Sequence, residues 1–508
     1  LMTGRYNYRT RCIDTYIGRA MMEPEETTLA EMLRDAGYAT GIFGKWHLGD
    51  CYPMRPGDQG FETSLVHRGG GIGQPSDPPG GEGKYTDAIL FRNGEQEQTK
   101  GYCTDVYYRN AVEFIEKSRK EGKPFLAYIP DNCPHGPFHD VPQKEYDAYK
   151  KMDLANERFP QDKGHKLPPG GNQDQRARIY AMISNIDSNI GRLLAKLDEL
   201  KITDNTIVIF MTDNGPNGRR YVAGMKGMKA HVHEGGIRTP FLIQWPARLS
   251  KSTRVSRVAA HIDVTPTLLD ACGIKPPSGV KFDGQSLLPE LTGKSVDRKP
   301  RTIYIQSHRG NQPVMYHHFA ARSAKWKLLH ASGFGREGFS GPPKLELYDM
   351  QGDPLELNNL AGERPEIVAR MRKEYEAWFR DVSSTRPDNY APPRIHVGTK
   401  HENPVVLTRQ DWRHVRGRPW ARDSVGHWLI YVAKDSSHDV RCRFSPSPTA
   451  GKAVLKIGDQ ELGVKLQSGA ASCVFKNLRL TKGNAKLEIL LTHGDKTRGI
   501  HQADVLRK

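Results

Sequence analysis

The sequence predicts an α/β domain, a smaller α+β segment after it, and then a β-sandwich. Three observations carry this reading. Between residues 29 and 211, stretches of helical period alternate with short apolar runs. One of those runs, Thr206-Ile-Val-Ile-Phe-Met211, lacks any polar alternation, as expected of a central parallel strand covered on both faces. Beyond Ala391-Pro392-Pro393, short strand-like runs recur with turn residues between them. At 508 residues the chain is longer than one ordinary domain. The expected divisions are 1–274 for the main α/β domain, 275–390 for the α+β subdomain and 396–508 for the sandwich.

Leu1-Met-Thr-Gly-Arg-Tyr6 reads as the middle of a helix and its exit. Residues 29–36 have helical spacing, with Gly37 as a natural stop. A short strand follows at Thr40–Phe43 and leads into Lys45 and His47. Residues 50–100 are rich in Gly and Pro, including Gly69-Gly70-Gly71 and Pro78-Pro79-Gly80-Gly81, and read as a long loop region. Val106–Lys117 reads as a helix, and Pro124–Ile129 as a buried strand before Pro134-His135-Gly136-Pro137. Residues 176–200 form the clearest helix, with Ile179, Met182, Ile183, Ile186, Ile190, Leu193, Leu194 and Leu197 on one face.

Asp263–Asp270 starts another helix. Trp326–Leu329 and Leu345–Tyr348 read as strands, and Pro365–Phe379 as a helix. In the last segment the expected strands are Trp428–Val432, Val440–Phe444, Val454–Ile457, Ser472–Phe475 and Leu487–Leu491.

The net charge is +17, and residues 396–508 hold 20 Lys+Arg against 10 Asp+Glu, so +10 of the total lies there. Such a surface favours anionic partners. No nucleic-acid-binding motif accompanies it, and no apolar run reaches the ~18 residues needed to span a bilayer. None of the seven cysteines forms a C-x-x-C pair, which excludes zinc-knuckle and thioredoxin-like chemistry. Buried free thiols are the simplest reading; Cys442 and Cys473 are the first pair to test for a disulfide.

Three polar clusters follow expected strands: Lys45 with His47, His135, and Asp213 with Asn214. Ligands of open α/β sheets gather beyond the carboxyl ends of the strands, so these clusters are expected along one sheet edge. Lys45 and His47 together make an anion clamp, since lysine brings a compact charge and histidine a proton donor or acceptor near neutral pH. Asp213 and Asn214 offer a carboxylate and an amide carbonyl, hard oxygen donors suited to Ca²⁺ or Mg²⁺. His231 and His233 lie two apart, on one face if the segment is a strand. A metal pair there ranks below a substrate-contact or structural role.

These motifs resemble the sulfatase family of the alkaline-phosphatase superfamily. Gly37-Tyr-Ala-Thr-Gly-Ile-Phe-Gly-Lys-Trp-His-Leu-Gly49 is similar to its G-Y-x-T-x-x-x-G-K-W-H-L-G signature. Pro134-His-Gly-Pro137 resembles its P-H-x-P element, and Asp213-Asn-Gly215 its calcium-binding D-N-G. Lys229-Ala-His-Val-His-Glu-Gly-Gly-Ile-Arg238 resembles K-G-x-x-x-E-G-G-x-R, with Ala230 where glycine is usual and Lys226 as a weaker substitute for Lys229. The resemblance extends from Leu1 to about Ala361.

It implies a mixed sheet flanked by helices and hydrolysis of aryl or carbohydrate sulfate esters. It implies that Lys45, His135 and Lys229 contact the sulfate, with His231 a further substrate contact. His47 would serve the nucleophile, and Asp213 and Asn214 would bind Ca²⁺ (or Mg²⁺). That nucleophile is a formylglycine made from Cys or Ser in a C/S-x-P-S-R element, expected upstream of Leu1; neither Cys12 nor Cys51 is followed by Pro-Ser-Arg. The chain as written is therefore expected to lack turnover. Partners implied are a sulfated small molecule or polysaccharide, and the location periplasmic or secreted. Alternatives are a phosphomonoester or phosphonate hydrolase of the same superfamily, and a non-catalytic binder of sulfated polysaccharide built on Trp412, Trp420 and Trp428.

Overall fold

The computed structural model describes residues 1–78, 83–159, 163–294, 296–335, 338–384, 388 and 390–508. The Pro79-Gly80-Gly81 part of the expected loop lies outside them. The chain is mixed α/β and divides into two compact units, residues 1–9 with 141–390, and residues 10–140 with 391–508.

In the second of these units, a five-stranded sheet has the order Glu95–Gln98, Ile89–Arg92, Thr63–His67, Ala39–Lys45, Phe125–Tyr128. Ala39–Lys45 is parallel to both its neighbours and buried over six of its seven residues, as a parallel strand covered on both faces would be. Leu29–Asp35 leads into it and is closed at its start by a capping box: Thr28 Oγ1 accepts from the Glu31 amide at 3.1 Å, and Glu31 Oε2 from the Thr28 amide at 2.8 Å. Cys103–Lys120 packs on the same strand. Residues 50–100 are therefore not one long loop: they supply three of the five strands. Gly/Pro-rich turns between those short strands dominate the composition and mask them.

The rest of this unit is the expected sandwich. One sheet runs Ile395–Val397, Val425–Val432, Gly483–His493, Gly451–Ile457, Gln460–Leu466, with Arg413–Arg416 and Lys496–Gly499 alongside. The other runs Val405–Thr408, Gln502–Arg507, Ser436–Arg443, Ser472–Leu480. Buried and less buried residues alternate along Val425–Val432, as a sheet with one covered face requires. Met21, Cys51 and Met54 join the sandwich residues in a single apolar core. Trp412 and Trp428 are buried in that core, which removes two of the three tryptophans from any glycan-binding surface. The cysteines are free thiols; Cys442 and Cys473 face each other across adjacent strands.

In the other unit, Gln173–Glu199 is the long helix. Val208–Met211 pairs antiparallel with Phe241–Gln244 in a two-stranded sheet, and Phe210 and Leu242 are 37% and 63% exposed. The expectation of a central parallel strand here is thus overturned, because an apolar run encodes burial tendency but not partner or direction. An antiparallel sheet has the order Glu346–Asp349, Trp326–His330, Phe319–Arg322, Ile303–Gln306, and Pro365–Ser383 is the following helix. Residues 1–6 form turns rather than the end of a helix, with the Gly4 amide bonded to Leu1 O at 3.3 Å. No helix among the described residues is long and apolar enough to cross a membrane.

Candidate active-site clusters

Lys45 ends its strand and is paired in register with His67 of the next one. The chain stays zipped beyond the strand: the amides of Lys45, Trp46 and His47 donate to Pro130 O, His67 O and Arg68 O at 2.7, 3.1 and 2.9 Å. Trp46 is the anchor between the two basic residues, buried, with its indole N–H bonded to Met54 O at 2.9 Å and Gly49 O at 3.1 Å. His47 then adopts φ +55°, an unusual left-handed conformation for a residue other than glycine and a mark of over-determined local structure. His135 follows the neighbouring strand Phe125–Tyr128. Its amide is bonded to Asn132 O, its Nδ1 lies 2.7 Å from Gly136 O, and its own carbonyl accepts from Tyr85 Oη at 2.6 Å.

The structure therefore brings Lys45, His47 and His135 to the carboxyl ends of adjacent parallel strands. It adds His67, which the sequence reading missed because it lies in the stretch read as loop. His67 is buried, and neither ring nitrogen has a hydrogen-bond partner among the described residues. Its pKa is pushed down to about 3, first by burial and then by Lys45, His47 and His135, so the ring stays neutral. Lys45, His47 and His135 are thus grouped around one buried imidazole. The glycine run also gains a reason. A β-carbon on Gly70 would meet His47 Cε1 at 2.6 Å, and one on Gly71 would meet His135 Nδ1 at 2.9 Å.

In the other unit, Asp213 and Asn214 follow Val208–Met211, which belongs to a different sheet from Lys45. The expectation of three clusters on one sheet edge fails for this pair, again because the run's partner was not encoded locally. Asp213-Asn214-Gly215 is joined to the Lys229 segment by two backbone bonds, Gly215 N–H to Gly236 O at 2.9 Å and Lys229 N–H to Pro216 O at 2.8 Å. The approach is so close that a β-carbon on Gly215 would sit 1.9 Å from Gly235 O. Asp213 is exposed and has no hydrogen-bond or ion-pair partner among the described residues. Two hard oxygens fit a cation chemically, but Ca²⁺ takes six to eight. Among the described residues no group of three or more His, Cys, Asp or Glu could hold a metal ion.

Lys229 is half-buried, and its ammonium has no hydrogen-bond or ion-pair partner among the described residues. Lys226 is paired with Glu346 at 3.7 Å, which favours Lys229 over it as an anion ligand. The segment is pinned by Val232 in an apolar cluster with Ala320, Leu329, Tyr348 and Met350. It is pinned again by a buried charge triad, Lys327 Nζ lying 2.9 Å from Glu234 Oε1 and 2.7 Å from Glu356 Oε1. His231 and His233 are not on a strand, so the one-face argument for a His-x-His pair falls: Glu234–Ile237 begins a helical turn just after His233. His233 is instead buried, with Nε2 3.8 Å from Glu346 Oε2, an electrostatic approach too long for a hydrogen bond; His233, the Tyr348 hydroxyl that donates to the same carboxylate and Lys226 hold the Glu346 carboxyl down at about 2. Burial lowers the His231 pKa, with smaller effects from His233 and Arg219.

A family model described as Sulfatase matches residues 1–274, more than half of the chain. The chain belongs to the sulfatase family. A second model, described as N-sulphoglucosamine sulphohydrolase, C-terminal, matches residues 227–380 of this sulfatase. It is similar to an N-acetylglucosamine-6-O-sulfatase of Bacteroides thetaiotaomicron, at 24% identity over 77% of either chain. It is similar to arylsulfatase G of Rattus norvegicus, at 29% identity over 80% of this chain and 82% of that one. Among solved structures it resembles Ps i-CgsB in complex with k-i-k-neocarrahexaose, with TM-score 0.61 and 25% identity over 75% of this chain and 82% of that one. As a sulfatase it is a hydrolase acting on carbohydrate or aryl sulfate esters.

Proposed function

We propose that this protein removes sulfate from a carbohydrate sulfate ester. The observation that carries the reading is the basic cluster of Lys45, His47 and His135 around the neutral His67. A lysine ammonium flanked by pre-oriented imidazoles stabilises the negative charge that develops on sulfate oxygens. The carbohydrate class is supported by the similarity to an N-acetylglucosamine-6-O-sulfatase and to a protein crystallised with a neocarrahexaose.

Lys45 and Lys229 bind sulfate oxygens as compact cations, and His231 is a substrate contact. His135 points Nδ1–H at Gly136 O, so in its imidazolium form Nε2–H hands its proton to the departing sugar oxygen and the ring is left neutral. His47 handles the proton of the nucleophile. Asp213 and Asn214 would hold Ca²⁺, or Mg²⁺, as two of its oxygen ligands; the bound cation would draw charge from a sulfate oxygen. A formylglycine would supply the attacking oxygen.

The test uses protein expressed from its complete gene and sulfated galactan and glycosaminoglycan oligosaccharides. Sulfate release is expected. It should fall by about a hundredfold or more in Lys45→Ala and Lys229→Ala and persist in Lys226→Ala. Faster turnover of an aryl phosphate than of the matching aryl sulfate would overturn the reading, as would full activity in Lys45→Ala.

A further inference from the structure

Gln410 of the β-sandwich segment reaches the basic cluster. Gln410 is 1% exposed, and its Nε2 lies 3.0 Å from Thr15 O and 3.3 Å from His47 Nε2. His47 Nε2 itself lies 2.9 Å from the same Thr15 carbonyl. A carbonyl only accepts, so Nε2 of His47 carries a hydrogen, and in the neutral ring Nδ1 holds the lone pair.

The residues flanking Gln410 hold it firmly. The Arg409 guanidinium donates to Ile500 O at 2.7 Å and Gly499 O at 3.0 Å. Asp411 Oδ2 accepts the Asp50 amide at 3.1 Å. The Gln410 amide donates to Thr408 Oγ1 at 3.2 Å.

We propose that Gln410 is a positioning residue: it clamps the Thr15 carbonyl against His47 Nε2–H and so makes Nδ1 the nitrogen that exchanges a proton in the reaction. The sandwich thereby completes the orientation of a residue more than 360 positions away in sequence. The catalytic part of this inference rests on the sulfate-ester reading; the orientation of His47 does not.

The experiment is ¹⁵N-edited NMR of the His47 ring in the 508-residue chain. The unaltered protein should give an Nε2–H signal protected from exchange with water. In Gln410→Leu, of similar volume but with no donor, that signal should vanish into solvent exchange. In protein from the complete gene, Gln410→Leu should lower kcat about tenfold with KM within about twofold. An Nδ1–H signal in the unaltered protein overturns the proposal without any variant. A protected Nε2–H that survives in Gln410→Leu overturns it too, even if the melting temperature falls. Protected Nε2–H with no hydrolysis of any sulfate ester overturns the functional reading and leaves the clamp standing.

Discussion

Gly70 presents its bare α-carbon to the imidazole of His47, at a distance where a β-carbon would lie 2.6 Å from Cε1. The ring is held at Nε2 by Thr15 O, 2.9 Å away. The absence of a side chain at 70 is therefore part of how His47 is oriented. Gly70→Ala should push the ring off Thr15 O and cut sulfate-ester turnover by about 10- to 100-fold, since small misplacements of reacting groups are that costly. Gly57→Ala, where nothing lies within 4 Å, is the matched control and should leave turnover unchanged. Steady-state kinetics of the two variants decide it.

Ala230 stands where glycine is usual in the resembling motif, and its φ of +71° explains the usual choice. The left-handed conformation costs an L-residue roughly 1–2 kcal/mol. His318 Nε2, 2.8 Å from Ala230 O, helps hold it. Ala230→Gly should relieve that strain, less the entropy glycine adds to the unfolded chain. The expected result is a stability gain of up to about 1 kcal/mol in denaturant unfolding.

Lys327 is fully buried between Glu234 and Glu356. Removing one partner of a buried ion network strands the remaining charges and costs about 3–5 kcal/mol. Lys327→Met should lower the melting temperature accordingly and free the 226–238 segment for proteolysis. Adding Glu356→Gln should recover part of the loss. Calorimetry and limited digestion measure both effects.

Asp50 and Asp411 are buried carboxyls close together. Burial raises Asp50 well above the usual range and Asp411 to about 6. A folded-state pKa above the unfolded value of ~3.9 gives stability that is complete below about pH 4 and is lost as pH rises through about 6. Asp411→Asn should therefore stabilise the protein at pH 8, on the order of 1–2 kcal/mol, and make little difference at pH 4. Thermal unfolding at the two pH values checks the sign.

Much of the helical and sandwich structure was legible because its signals are local. The apolar stripe of Gln173–Glu199, the box around Thr28 and the alternation in Val425–Val432 each act over a few residues. So do the motifs at Lys45, His47, His135 and Lys229. The pairing of Val208–Met211 was misread because strand direction depends on a partner thirty residues away. The strands within 50–100 were hidden by turn residues, and His67 with them. For Trp412, Trp420 and Trp428 the sequence leaves a glycan-binding surface open beside the commoner core role, and burial in the sandwich core gives Trp412 and Trp428 the core role.

By itself the sequence determined the residue types in the motifs and which neighbours in the chain attend them. Lysine, histidine, aspartate and asparagine in those motifs bring their charge and donor type wherever they lie. Only the tertiary structure decided that His67 sits neutral among Lys45, His47 and His135, that Lys226 is paired with Glu346, and that Gln410 reaches His47. Those relations depend on distances between residues far apart in the chain, and burial and Coulomb interactions act through space, not along the backbone.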